Sequence, residues 1–168
     1  MRIAIGSDHR GVRMRGVLVE LLARLGQEVV DVGTHAHGDC DYPDIAELVA
    51  RKVAGGEVDR GILVCGSGLG MCMAANKVAG VRAAPCHDEL TTELSRRHND
   101  LNVLCLAGGI VAENLLDRIV DIWLKTPFEG GRHARRLQKI AQFESSNGHP
   151  ADRASGAERE TGEHRASA

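Results

Sequence analysis

Cys65 ends an apolar run, RGILVC, and is followed at once by Gly66-Ser67-Gly68-Leu69-Gly70. A strand that ends in a thiol and turns on three alternating glycines brings successive backbone N–H groups together, and the next helix adds its amino terminus. Such a turn cradles an anion. The same N–H groups favour the thiolate of Cys65 and are expected to lower its pKa from about 8.5. A buried strand residue before a tight turn accounts equally for these residues, and the turn alone leaves both readings open. Spelling excludes three familiar alternatives. A Walker loop needs GxxxxGK[ST], a dinucleotide fingerprint needs GxGxxG after the first strand, and a Cys-x5-Arg phosphatase needs arginine where Met71 stands.

Three further groups carry polar chemistry. Asp8-His9 follows the first apolar run, where a solvated turn with Asp8 capping the next helix is the plain alternative. His98-Asn99-Asp100 ends a helical stretch carrying Leu90 and Leu94, and at i+8 and i+4 from them His98 shares much of their face. Arg132 and Arg136 stand at i, i+4 on the last helical stretch, so both reach one anion from one face unless that face is merely solvated.

Positioning these residues requires a sheet. Apolar runs at residues 2–6, 28–32, 60–65, 81–85 and 103–107 alternate with amphipathic stretches at about 12–25, 43–54, 71–78, 88–97, 113–125 and 131–144. Leu18, Leu21, Leu22 and Leu25 fall at i, i+3, i+4, i+7 in the first of these. Ile45, Leu48, Val49 and Val53 mark the apolar face of the second, with Pro43 in its first turn and Gly55-Gly56 at its end. Strands separated by helices imply parallel βαβ units. The expected fold is therefore an α/β, doubly wound, Rossmann-like five-stranded parallel sheet with helices on both faces and an extra C-terminal helix. Ligands of such sheets lie beyond the carboxyl ends of the strands, which singles out residues 6–9, 65–70 and the loop after the fifth strand.

Composition narrows the classes. The 168 residues hold 21 Lys+Arg against 23 Asp+Glu, so a general nucleic-acid or membrane-surface binder, with its basic excess, is not expected. Four aromatic residues (Tyr42, Trp123, Phe128, Phe143) are too few for a base-stacking platform. Neither a signal peptide nor a membrane span is legible. Five scattered cysteines without CxxC pairs give no disulfide framework or structural zinc spacing, so a cytoplasmic protein with reduced thiols and no metal is expected. From Ser145 onward the chain lacks Leu, Ile, Val and aromatic residues, and residues 146–168 read as a disordered tail after a domain of residues 1–145.

The ordered segments IAIGSDHRG (3–11), VDVGTHAHGDCDYPD (30–44), GGEVDRGILVCGSGLGMCMAANKVAGVRA (55–83), LSRRHNDLNVL (94–104) and VDIWLKTPFEGGRHARR (120–136) resemble ribose-5-phosphate isomerase of type B. That family also holds galactose-6-phosphate isomerase subunits, and the resemblance covers about residues 1–145. It implies an aldose–ketose isomerase of a phosphorylated sugar, most simply ribose 5-phosphate, moving a proton between C1 and C2 through an enediolate without metal or organic cofactor. Tetrose and hexose phosphates are the neighbouring substrates, and a non-catalytic sugar-phosphate-binding module is the competing class.

The resemblance also implies roles. Cys65 is the base, in a subgroup that uses cysteine where another places glutamate at the position of Met71. Gly66, Gly68, Leu69 and Gly70 hold the enediolate with backbone amides, and Ser67 relays protons or polarises oxygen. Asp8 and His98 open the sugar ring, and Asn99 holds hydroxyls. His9, Arg132 and Arg136 bind phosphate, and Tyr42 lies near the pocket. The last helix crosses a dimer interface, so the two arginines serve the partner's site in a homodimer or homotetramer. One departure stands out. Relatives commonly carry a basic phosphate ligand where this chain has Gly109, a loss of about 1.5–3 kcal/mol unless Arg10 or another side chain substitutes.

Overall fold

The computed structural model describes residues 1–33 and 40–146. The expected loop at 33–41 therefore falls mostly, and the expected tail almost wholly, outside the described residues. Five strands, β1 (Arg2–Ser7), β2 (Glu28–Asp31), β3 (Arg60–Cys65), β4 (Ala83–Pro85) and β5 (Val103–Ala107), form one all-parallel sheet in the order β2-β1-β3-β5-β4. Six helices surround it: α1 (Val12–Arg24), α2 (Tyr42–Ala54), α3 (Leu69–Ala75), α4 (Glu89–Asn99), α5 (Glu113–Lys125) and α6 (Arg132–Ser146). The doubly wound expectation holds.

Alternation along the strands divides the core into two layers, because successive side chains leave a strand on opposite faces. Ile3, Ile5, Ile62, Val64, Leu104 and Leu106 face α1 and α5, where Leu18, Leu22, Leu116, Ile119 and the fully buried Trp123 close the layer. Ala4, Leu63, Cys65, Val103 and Cys105 face α2 and α3, meeting Ile45, Val49, Val53, Met71 and Ala75. Each large aliphatic side chain sealed this way contributes about 1.5–3 kcal/mol. Met71 is fully buried beneath the glycine turn, so position 71 offers packing and no base.

Element boundaries depart from the sequence pattern where side chains intervene. β4 begins at Ala83 because the Arg82 N–H is taken by Asn102 Oδ1 and the Val81 N–H closes a turn on Val78. α3 begins at Leu69, two residues before the apolar periodicity, because Gly68 adopts φ +76° and caps it. That left-handed conformation costs an L side chain roughly 1–2 kcal/mol, so glycine is required there. α4 ends at His98 and Asn99, as their place at the end of the Leu90–Leu94 stretch implied, two residues past the expected limit at 97. Leu48, expected in the buried face of α2, is half exposed, and Leu90 of α4 is 64 % exposed. α4 buries Thr92, Ser95 and Arg96 instead. α6 extends through Ser146, past the expected end at residue 144 and one residue beyond the expected domain limit.

Candidate active site

The strand order reverses between β1 and β3, and it is beside this switch point that a doubly wound sheet opens a crevice at its carboxyl edge. Asp8 follows β1 and Cys65 ends β3. The Asp8 N–H donates to the Val64 carbonyl at 3.2 Å, which fixes the two loops side by side. Asp8 is only 5 % exposed, and its Oδ1 accepts the N–H groups of Arg10 (2.9 Å) and Gly11 (3.1 Å). These bonds close a turn ahead of α1 and hold it against β3; the expected cap is not formed, because Gly11 is the N-cap of α1 and no side chain bonds to its first turn. His9 and Arg10 stand exposed on that turn.

The Cys65 side chain is also 5 % exposed, and the Gly68 N–H points at its sulfur at 3.1 Å. Ser67 Oγ accepts from the Leu69 N–H at 3.4 Å, which holds the hydroxyl on the turn. Close approach elsewhere forbids side chains. A Cβ on Gly70 would lie 2.8 Å from the Tyr42 ring, and one on Gly11 would lie 2.6 Å from the Val64 carbonyl oxygen. Tyr42 therefore lies directly on the turn, as expected. The β5–α5 loop joins the same rim through the Gly108 N–H, which donates to the Cys65 carbonyl at 2.8 Å.

His98, Asn99, Arg132 and Arg136 stand elsewhere. α4 leaves the carboxyl edge at Glu89 and climbs about 16 Å over its eleven residues, so His98 and Asn99 end at the amino edge of the sheet. There the His98 ring stacks on that of His133, with centroids 4.2 Å apart and an angle of 4°. Glu129 accepts from Arg97 at 2.6 Å, and its other oxygen lies 3.8 Å from His98 Nε2 and 3.6 Å from His133 Nε2. Hydrogen bonding from Arg97 holds the Glu129 carboxyl below its ordinary range. Burial, with the charges of His98 and Arg132, holds the His133 imidazole below its own. Among the described residues, His98, Glu129 and His133 are the one trio of metal-ligand type whose donor atoms lie within 4.8 Å of one another. Arg97 engages Glu129 and the Arg132 Nε–H donates to His133 Nε2 at 3.3 Å, so protein contacts already use that trio.

The site residues therefore form two groups at opposite edges of one chain. Asp8, His9, Tyr42 and residues 65–70 stand at the carboxyl rim, and His98, Asn99, Arg132 and Arg136 at the amino edge. The sequence reading separated only the two arginines from the rest. It also missed His87, just past the end of β4, whose Nε2 is buried without a hydrogen-bond partner among the described residues. That nitrogen lies 3.4 Å from where a Cβ on Gly68 would stand. The carboxyl-end rule applied to the fourth strand would have found it.

A parallel α/β sheet that aims a backbone N–H at a thiol beside a buried carboxylate defines an enzyme handling small anionic substrates. The family model described as Ribose/Galactose Isomerase matches residues 3–140, and the chain belongs to that family of aldose–ketose isomerases. It is 47 % identical over 143 residues to ribose-5-phosphate isomerase B of Escherichia coli (strain K12), covering 85 % of this chain and 96 % of that one. The solved ribose-5-phosphate isomerase B of Clostridium thermocellum matches with a TM-score of 0.86 at 47 % identity, covering 88 % of this chain and all of that one. The ribose-5-phosphate isomerase B of Mycoplasma genitalium, solved with bound ribulose-5-phosphate, matches with a TM-score of 0.82 at 46 % identity over 86 % of this chain and 96 % of that one. No helix among the described residues is long and apolar enough to cross a membrane.

Proposed function

We propose that the chain interconverts D-ribose 5-phosphate and D-ribulose 5-phosphate in the cytoplasm, and that each active site is assembled from two copies of the chain. The observation that carries the chemistry is Cys65, nearly buried at the end of β3, with the Gly68 N–H aimed at its sulfur and Asp8 fixed on the neighbouring strand end. The Cys65 thiolate removes the proton from C2 of the open-chain aldose and returns a proton to C1. Between those steps the negative charge rests on the enediolate oxygens, which face the N–H groups of the 66–70 turn, and the Ser67 hydroxyl moves the proton between O1 and O2. Such electrostatic stabilisation acts where charge develops, and no metal or organic cofactor is invoked. Ring opening precedes this: Asp8 and His98 divide the work, one taking the anomeric hydroxyl proton while the other protonates the ring oxygen. Tyr42 walls the pocket, Asn99 holds hydroxyls, and His9, Arg132 and Arg136 hold the phosphate.

Two facts support assembly from two chains. His98 and the arginines stand a full helix length from Cys65 within one chain, too far to touch the same five-carbon sugar at both ends of its reaction. α6 moreover exposes Arg132, Arg136, Ile140 and Phe143 at i, i+4, i+8 and i+11, one face that is basic at its start and apolar at its end. Leu69 and Met73 on α3, beside the glycine turn, are exposed as well. A second copy laying α6 across this region would bury both apolar patches and deliver its arginines to the turn.

A panel of C4, C5 and C6 sugar phosphates, followed by ketose formation and by deuterium exchange from solvent at C1 and C2, tests the reading. The highest kcat/KM is expected on ribose 5-phosphate. Tight binding with no exchange on any member would instead identify a sugar-phosphate-binding module.

A further inference from the structure

We propose that Arg10 is a specificity-determining phosphate ligand of this chain, standing against Gly66, the glycine that position 109 also approaches; this rests on the isomerase reading above. Its guanidinium lies against Gly66. A Cβ on that glycine would meet Arg10 Nε at 3.0 Å and Cζ at 3.2 Å. Gly66 is the residue directly after Cys65, so the charge of Arg10 sits over the first peptide of the turn. The exposed side chain makes no ion pair or hydrogen bond among the described residues, although Asp8 lies two positions away. Asp8 is occupied with the backbone N–H groups of Arg10 and Gly11, which holds the main chain of Arg10 rigid while leaving its guanidinium uncommitted.

Position 109 approaches the same glycine from the other loop, a Cβ there lying 3.5 Å from the Gly66 carbonyl oxygen. Beside the two loops is a cavity of about 270 Å³, lined by Arg10, Arg13 and Met14 from the β1–α1 side and by Gly108, Val111 and Leu116 from the β5–α5 side. No acidic residue is in its lining, and the Arg10 guanidinium supplies the positive charge that a phosphomonoester needs. The planar fork of arginine matches phosphate oxygens in pairs. Gly109 contributes no cation from the β5 side, and Arg10 supplies cationic charge from the β1 side. The terminal phosphate is therefore drawn toward the β1–α1 turn, beside His9.

Wild type, Arg10→Ala, Arg10→Lys and the exchange variant Arg10→Ala/Gly109→Arg distinguish this from a merely solvated arginine. Two readouts are needed: kcat and KM on ribose 5-phosphate, and the affinity for inorganic phosphate by calorimetry, which requires no turnover. Arg10→Ala is expected to raise KM by roughly tenfold while kcat stays within about threefold, and to weaken inorganic phosphate by a similar factor, with Arg10→Lys intermediate. Gly109→Arg, which meets only an ordinary contact at Gly66, is expected to recover most of both losses. An Arg10→Ala enzyme with unchanged KM and unchanged phosphate affinity overturns the assignment, as does a folded exchange variant that recovers neither. If the wild type turns over no sugar phosphate, the isomerase reading fails, and the phosphate calorimetry still decides the role of Arg10.

Discussion

The two edges of the sheet hold the two halves of the site residues and are built from different materials. At the carboxyl rim backbone N–H groups, a thiol and one carboxylate, with His9, Arg10 and Tyr42 beside them, are fixed by short local bonds: Asp8 to Val64, Gly108 to Cys65, and Gly68 to the Cys65 sulfur. At the amino edge they are long or cyclic side chains on helix surfaces, held by stacking and exposed ion pairs such as those of Arg97 with Glu129 and Glu93. Exposed pairs of that kind contribute little to stability, at most about 1 kcal/mol each. The rim is thus pre-organised by folding of one chain, whereas under the proposed function the amino edge acts only when a second copy presents it. A fixed dipole cradle suits a step in which charge develops, and cationic side chains on a helix suit capture and release of phosphate.

The largest effect should come from the rim. Cys65→Ala is expected to lower kcat by ~10²–10⁴-fold, the span that a positioned base supplies, and to abolish solvent deuterium exchange at C1 and C2 while leaving the fold intact. Near wild-type turnover would remove the rim from the chemistry altogether. The second test asks whether the two edges really meet across chains. Cys65→Ala and His98→Ala are each expected to be inactive alone. Unfolding and refolding them together in equal amounts should restore about a quarter of the wild-type activity, because half the dimers are mixed and each mixed dimer carries one intact site of two. No recovery, with mixed dimers demonstrated by mass, would place both residues in a site made by one chain.

Arg136→Ala probes the amino edge by itself. KM for ribose 5-phosphate should rise about tenfold with a smaller change in kcat, since the lost contact is made in ground state and transition state alike. Equal wild-type activity on unphosphorylated ribose would show that no phosphate contact matters.

The difference between the edges also explains what was legible in the residues. The rim could be read because its requirements are local: a strand-end cysteine, glycines at 66, 68 and 70, and a Pro43-marked helix start that carries Tyr42 to Gly70. Turn chemistry is written in adjacent residues. The amino edge could not be read in the same way, since the stacking of His98 on His133 joins residues 35 positions apart through the packing of α4 on the start of α6. Leu90 misled for a related reason. Periodicity marks an apolar face without saying what covers it, and on α4 Leu90 at the start of that face is left to solvent while Thr92, Ser95 and Arg96 go inward. His87 was legible by the same carboxyl-end rule, since the fourth strand was expected to end at residue 85, where β4 does end.

The smallest effect distinguishes the edges by their response to acid. Burial and the neighbouring cations hold the His133 imidazole below its ordinary value, so the folded chain resists a proton that the unfolded chain accepts near pH 6.5. Over that window the unfolded state binds more protons, and stability must fall as pH falls from about 6.5 toward the lower folded value, where the loss is complete. A histidine with a raised value would show the opposite sign. Thermal midpoints measured from pH 7.5 to 5 should therefore decline more steeply for the wild type than for His133→Gln, which has no proton to gain there. The decline should accompany a rise in KM rather than a loss of the Cys65 chemistry, because His133 packs beside His98 and Arg132 and touches no part of the rim. Parallel profiles for the two proteins would mean that the stacked pair accepts its proton without penalty, and the amino edge would then owe its order to Arg97 and Glu129 alone.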